Sequence, residues 1–238
     1  QVHWGQVANS LQELRNRCVV TLDDGTVYES RWVVGCDGAS SWTRRQLEMQ
    51  LEDLEFDQPW LVVDIELHDN AQVDLPVGVR QYCDAQRPAT YVKGHRQYRR
   101  WEFQIQKHED AQQLNTEQGL WSLLSPWVTP VDARIVRSAV YRFHAVVAPQ
   151  LQKGNVFLAG DSAHQMPPFL GQGLNSGMRD AVNLAWKLAF VQRGIAAEKI
   201  LYTYTTERVP HVRSVVAHAA DVGRLIDQLS GRVSHGIN

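Results

Sequence analysis

Apolar residues in this chain recur with two periods, and the switch between them divides it. Short β-rich runs come first: Cys18 to Leu22 and Thr26 to Tyr28 flank Asp23-Asp24-Gly25, a hairpin signal. Arg31 to Cys36 (RWVVGC) reads as a buried strand that ends at Asp37-Gly38. An alternating strand is predicted from Phe56 to His68, with others over residues 78–83, 90–92, 98–105 and 136–147. One helix is expected between them, over 112–124, with its charged start on the N-terminal dipole.

The densest stretch is 156–191. Val156 to Ala159 is an apolar run suited to a buried strand, and Gly160-Asp161, two prolines, Gly171 and Gly173 prescribe a tightly turned loop. From Asn175 a 3.6-residue period sets Arg179, Asp180, Asn183 and Lys187 on one side. Met178, Ala181, Val182, Ala185, Leu188 and Ala189 fall on the other, which predicts an amphipathic helix. Gln192-Arg193-Gly194 should end it. A second helical pattern runs from about 196 to 229, and Pro210 is expected to kink or break it. Strand, glycine loop and helix start together present bare amide N–H groups to a ligand's oxygens.

Composition narrows the class. The chain has 238 residues, 44% of them hydrophobic and 21% charged, which is ordinary for a globular protein with an ample core. A net charge of −2 gives no electrostatic footprint for nucleic acid or an anionic membrane. No apolar run approaches the roughly 20 residues of a spanning helix. Cys18, Cys36 and Cys83 match neither a disulfide framework nor a metal pattern, so a reducing cytoplasm is the natural location. His211 and His218 lack a third ligand, and no metal site is expected.

The string GDSAHQMPPFLGQGLNSGMRDAVNLAWKLA, residues 160–189, closely resembles the second FAD-binding motif of the flavin-dependent aromatic hydroxylases, monooxygenases of the p-hydroxybenzoate hydroxylase fold. VGCDGASSWTR, residues 34–44, resembles their aspartate-glycine fingerprint, and the two aspartates stand 124 residues apart. Residues 56–64, Arg99 to Phe103 and Tyr141 to Ala145 look similar to the 3-(3-hydroxyphenyl)propionate hydroxylase branch. Leu201-Tyr-Thr-Tyr204 and Glu207-Arg208-Val-Pro210 are similar to a further family pattern. The resemblance implies a mixed α/β (α+β) fold. Residues 1–56 and 149–238 would build the FAD-binding part and 57–148 a β-sheet substrate domain.

The same resemblance implies roles. Asp161, beside Gly160, would hold the ribityl hydroxyls of FAD, and Pro167-Pro168 would lie beside its ring. Gly171, Gly173, Leu174 and Asn175 would turn amides to the N1 side of the flavin. Asp37, Gly38 and Arg44 would support the pyrophosphate. Pro168, Leu174 and Asn175 take the catalytic positions: the Pro168 carbonyl accepts a phenolic proton, and the other two stabilise the reduced, anionic ring by ~1 kcal/mol or more. The implied reaction uses NADH or NADPH and O₂ to hydroxylate a small phenolic acid ortho to its hydroxyl through a C4a-hydroperoxide. A 3-hydroxyphenylpropionate or 3-hydroxycinnamate-like compound is the expected substrate, with homo-oligomer formation left open. The chain opens Gln1-Val2-His3 and contains no GxGxxG, so within the resemblance it corresponds to the middle of a longer enzyme. A flavoprotein body that folds without holding FAD is therefore an alternative.

Several residues carry two readings. Ser162 near His164 would suit a hydrolase nucleophile, although the G-x-S-x-G elbow is missing; His164 is more naturally a packing residue. Arg80, Arg99 or Arg100 could grip a carboxylate, with solvated arginines on alternating strands as the commoner outcome. Trp60, Trp101 and Phe169 either line an aromatic pocket or fill a core. Arg179 and Asp180 are expected to form a solvated or interdomain pair.

Overall fold

A computed structural model describes residues 1–234. Residues 235–238, the end of the expected second FAD-binding segment, lie outside the described residues. The described residues form two compact units: Gln1–Phe56 with His144–Ala220, and Asp57–Phe143 with residues 221–234.

In the first unit β1 (Ala8–Leu14), β2 (Arg17–Leu22) and β3 (Val27–Ser30) form an antiparallel meander. The β2–β3 turn closes with the Leu22 amide on the Thr26 carbonyl at 2.8 Å, and Gly25 sits at φ +83° where a side chain would be strained. The next strand, β4 (Val33–Gly35), leads into the short helix α1 (Trp42–Gln46). Burial was expected for β4, yet Val34 is 39% exposed. The reason is its place at the edge of a three-stranded sheet, where only one side is covered.

The second unit is built on long strands. β5 (Glu52–Leu67), β6 (Arg80–Tyr82), β7 (Ala89–Lys93), β8 (Tyr98–Gln104) and β9 (Ala133–Val147) make a sheet of order β9-β5-β8-β7-β6. One face packs Leu61, Val63, Tyr91, Trp101 and Phe103 against Leu120 and Leu124. Trp101 is thus core rather than pocket lining. The helix expected over 112–124 is two: α2 (Ala111–Leu114) and α3 (Glu117–Leu124). Thr116 divides them because its Oγ1 accepts the Gly119 amide at 3.2 Å and starts the second as an N-cap.

Back in the first unit, β10 (Gln152–Lys153), β11 (Val156–Leu158) and β12 (His164–Gln165) precede the two long helices α4 (Gly173–Gln192) and α5 (Thr203–Ser234). β11 is fully buried and runs parallel to β4, pairing Phe157 with Val34 and Leu158 with Gly35. This pairing brings the ends of two strands distant in sequence side by side. The expected break at Pro210 does not occur, since α5 runs through it. Buried Tyr204, Arg208, Val212 and Val216 anchor the helix before and after the proline.

Helix α4 reverses the inference from periodicity. Ser176, Asp180, Leu184, Lys187 and Val191 form its buried face. Met178, Val182 and Trp186 are 57%, 69% and 41% exposed, with Leu174 and Phe190 on the same stripe. Polar residues go inward here because each finds a partner. Lys187 Nζ, wholly buried, donates to Asn183 Oδ1 and Glu207 Oε2, both at 2.8 Å. That pair pulls the Glu207 carboxyl down to about 2, first through the Lys187 hydrogen bond and then through Asn183.

Candidate functional site

The parallel β4–β11 pair places two loops together in the first unit, Asp37 to Ser41 and Gly160 to His164. Gly35 is required where α1 passes over β4, because a Cβ there would lie 2.8 Å from Thr43. Three side chains bind the loops. Ser162 Oγ donates to the Gly35 carbonyl at 2.7 Å. The buried Arg44 guanidinium donates to the Ser162 carbonyl at 2.7 Å and to the Ala39 carbonyl at 2.9 Å. Asp37 organises its own loop, accepting from Ser41 Oγ at 2.5 Å and the Thr43 amide at 2.8 Å. Partial burial pushes the Asp37 carboxyl up, but these hydrogen bonds outweigh it and leave the group below the ordinary carboxylate range.

Asp161 is different. Its carboxylate is exposed and makes no hydrogen bond or ion pair with any described residue. The backbone that carries it is held tightly nonetheless. Gly160 takes φ +65°, and a Cβ on Gly177 of α4 would lie only 3.3 Å from the Gly160 Cα. The approach favours glycine at 177, while at 160, where a Cβ would have an ordinary 3.9 Å, it is the positive φ that favours it. The Gly160 amide donates to Asp180 Oδ2 at 3.0 Å. Asp180, fully buried, also takes His164 Nε2 at 2.6 Å and Arg208 Nε at 2.8 Å. Burial raises its pKa, and His164, Arg208 and the Gly160 amide together overcome this and lower it.

These contacts correct one expectation and answer one alternative. Asp180 is no solvated partner of Arg179; it is the buried hub beneath the Gly160 turn. Ser162 and His164 are both buried, yet the serine bonds to Gly35 and Ala159 and the histidine to Asp180, so no nucleophile–base pair exists. His164 packs as expected.

The loop then bends at Gly171, φ +61°, and enters α4. Gln172 at the N-cap gives no side-chain cap, and the Gly173, Leu174 and Asn175 amides have no acceptor, as the first turn of a helix dictates. Leu174 is 79% exposed and Asn175 is exposed as well. The Pro168 carbonyl accepts the Gly171 amide at 2.8 Å and keeps its second lone pair; Pro167 is buried. An open carboxylate that takes hydroxyls, followed by uncapped amides that take a negative oxygen or nitrogen, suits FAD as a donor and acceptor set. Asp161 and the amides of Gly173, Leu174 and Asn175 offer free groups; the Gly171 amide, expected to face a ligand, is instead taken by the Pro168 carbonyl because the residue closes that turn, and Asp37 and Arg44 have theirs engaged within the protein, with Gly38 at φ +79° in the turn between.

Among the remaining candidates, Arg80 is exposed as expected, while Arg100 forks onto Asp64 at 2.7 and 3.0 Å and Arg99 donates to the Arg96 and Tyr98 carbonyls. Trp60 is wholly buried and stacks on Phe143 with centroids 5.6 Å apart. Phe169 meets Phe56 edge to face at 6.2 Å. No helix among the described residues is long and apolar enough to cross a membrane.

Comparison with known proteins points the same way. The sequence profile of the FAD binding domain family matches residues 9–219. A probable NADH-specific resorcinol 4-hydroxylase of Rhodococcus jostii (strain RHA1) is 39% identical over 204 residues, which is 85% of this chain and 38% of the relative. A 3-(3-hydroxy-phenyl)propionate/3-hydroxycinnamic acid hydroxylase of Mycobacterium sp. (strain KMS) is 37% identical over 236 residues, 98% of this chain and 40% of the relative. A solved complex of aklavinone-11 hydroxylase with FAD and aklavinone superposes with a TM-score of 0.82 at 25% identity, over 90% of this chain and 42% of that one. The chain spans about two fifths of the length of these relatives.

Proposed function

Since this chain belongs to the FAD binding domain family that includes these aromatic hydroxylases, we propose that it is part of an FAD-dependent monooxygenase acting on a small phenolic acid. The reaction is hydroxylation ortho to an existing hydroxyl, with NADH or NADPH and O₂ as co-substrates. The substrate is 3-(3-hydroxyphenyl)propionate or a 3-hydroxycinnamate-like compound, in keeping with what the mycobacterial relative is named for. Residues 1–56 and 149–238 serve the cofactor and 57–148 form the substrate domain.

The observation that carries this reading is the contrast inside one loop. Asp161 is exposed and unpaired on a backbone fixed by buried groups, and the uncapped start of α4 follows it. FAD, when bound, supplies electron transfer from the nicotinamide donor and the activation of O₂. The chain's own part is to hold and polarise. Asp161 accepts hydroxyl hydrogens of the cofactor. The Gly173, Leu174 and Asn175 amides, at the positive end of α4, favour negative charge on the ring edge beside them. The Pro168 carbonyl offers its free lone pair to the substrate's phenolic hydrogen. Asp37, Gly38 and Arg44 shape the loop on which the pyrophosphate rests.

The test follows NAD(P)H oxidation by the complete protein over a panel of phenolic acids, with product identification to separate hydroxylation from uncoupled peroxide release. Acceleration by a 3-hydroxyphenyl acid, with a catechol product, is the expected result. If no phenol accelerates the oxidation, the substrate class is wrong.

A further inference from the structure

The second unit has a cavity of its own. Its volume is about 340 Å³, and it lies at the edge of the sheet, where β6 and β7 meet the last turn of α3. Tyr82, Ala89 and Phe103 stand opposite one another on three adjacent strands, so they share one face of the sheet and floor the cavity. Ala89 and Phe103 are buried core residues, while Tyr82, Leu123 and Trp127 pack against that core and are only partly covered. The Trp127 ring lies 5.2 Å from Tyr82 at a tilt of 52° and 6.0 Å from Phe103 at 40°. Three rings thus wall a slot that continues the apolar core out to solvent.

Two charged side chains line this cavity, and the protein neutralises only one of them. Arg87 donates to the Gln104 carbonyl and to Glu109 Oε2, both at 2.8 Å, and its other terminal nitrogen donates to Glu109 Oε1. Both partners are mostly buried, so the Arg87 charge is matched where it stands. Asp84 is exposed, and one of its oxygens accepts the Gln86 amide at 2.7 Å. Its carboxylate forms no ion pair with any described residue. The exposed Ser122 adds a hydroxyl to the same rim. An apolar slot with a few polar groups at its mouth is the usual form of a small-molecule site. Here the rings and the open carboxylate both favour positive charge on whatever enters. A phenolic acid would meet like charge at Asp84.

We propose that this cavity binds an arylalkylamine, with its ring among Tyr82, Phe103 and Trp127 and its ammonium group on Asp84. The site shares no residue with the loops assigned to FAD, and every one of its walls comes from the second unit. It stands whether or not the chain acts on a phenolic acid.

The test uses the complete, FAD-loaded protein and its Asp84→Asn and Ser122→Phe variants. Isothermal titration calorimetry at neutral pH compares 2-phenylethylamine, the uncharged 2-phenylethanol and the anionic 3-phenylpropionate, with thermal unfolding recorded alongside. The wild type should bind the amine about fivefold more tightly than the alcohol, and the acid least of the three in this cavity. Asp84→Asn keeps the oxygen that accepts the Gln86 amide and removes the charge. It should bring the amine down to the alcohol and leave the alcohol where it was. Ser122→Phe fills the mouth and should weaken the amine and the alcohol together. Both positions are exposed, so the unfolding temperature should stay within about a degree of the wild type. The proposal is overturned if the wild type does not bind the amine, if amine and alcohol bind it equally, if the amine keeps its advantage in Asp84→Asn, or if amine binding survives Ser122→Phe. The hydroxylase reading is judged separately, by phenol-driven NAD(P)H oxidation.

Discussion

Two aspartates beside glycines, Asp37 and Asp161, occupy neighbouring loops of one unit and have opposite occupations. Asp37 spends its carboxylate on Ser41 and Thr43 and thereby starts α1. Asp161 spends none of its own; a third carboxylate, Asp180, holds the turn instead by taking the Gly160 amide. A motif aspartate that is used up by its loop is a builder, and one that is left open is a binder. The distinction lies in hydrogen-bond partners and not in the dipeptide.

The largest expected effect sharpens this division of labour. Asp180→Ala leaves the buried Arg208 guanidinium without its counter-ion, which costs about 3–5 kcal/mol. Denaturant unfolding should report it. A loss under about 1 kcal/mol would mean that the hub does not hold the turn. Next, Asp161→Asn should weaken FAD binding by roughly tenfold or more while stability moves within about 0.5 kcal/mol, since the group is exposed and unpaired. Flavin release followed by fluorescence, beside a melting curve, separates the two quantities. Equal damage to both would erase the contrast with Asp37.

Asp37→Ala reverses the pattern: about 1 kcal/mol of stability should go with the lost capping contacts, and FAD affinity should move less than for Asp161→Asn. The smallest effect is in acid. Asp37 and Glu207 both have folded-state pKa values below their unfolded ones, Glu207 at about 2. Their stabilisation is full above the unfolded carboxylate value of about 4 and is lost as pH falls through the folded values. Asp37→Ala should therefore flatten the acid limb of a stability–pH curve below about pH 4; an unchanged limb would mean that its capping contacts do not hold the carboxylate in the folded state.

Much of the cofactor-side geometry was legible beforehand because it is local. Gly25, Gly38, Gly160 and Gly171 take the left-handed backbone that their turns require. The apolar run at Val156 became the buried strand it resembled, and Gly173 to Asn175 opened the long helix within two residues of the predicted start. Reading failed where a partner distant in sequence changed the sign of a residue's environment. Lys187 looked solvated until Glu207 was beside it, and Asp180 until Arg208 and His164 were. The boundary at Thr116 rests on its Oγ1 accepting the Gly119 amide, which divides 112–124 into two helices.

The sequence alone determined the strand and helix periods, the turns that only glycine permits, and the family motifs, since each depends on residues a few positions apart. Tertiary structure decided which carboxylates were consumed and which stayed open. Burial and hydrogen bonding are properties of a neighbourhood, and the partners of Asp180, which leave Asp161 open above it, come from segments that the chain order does not place together.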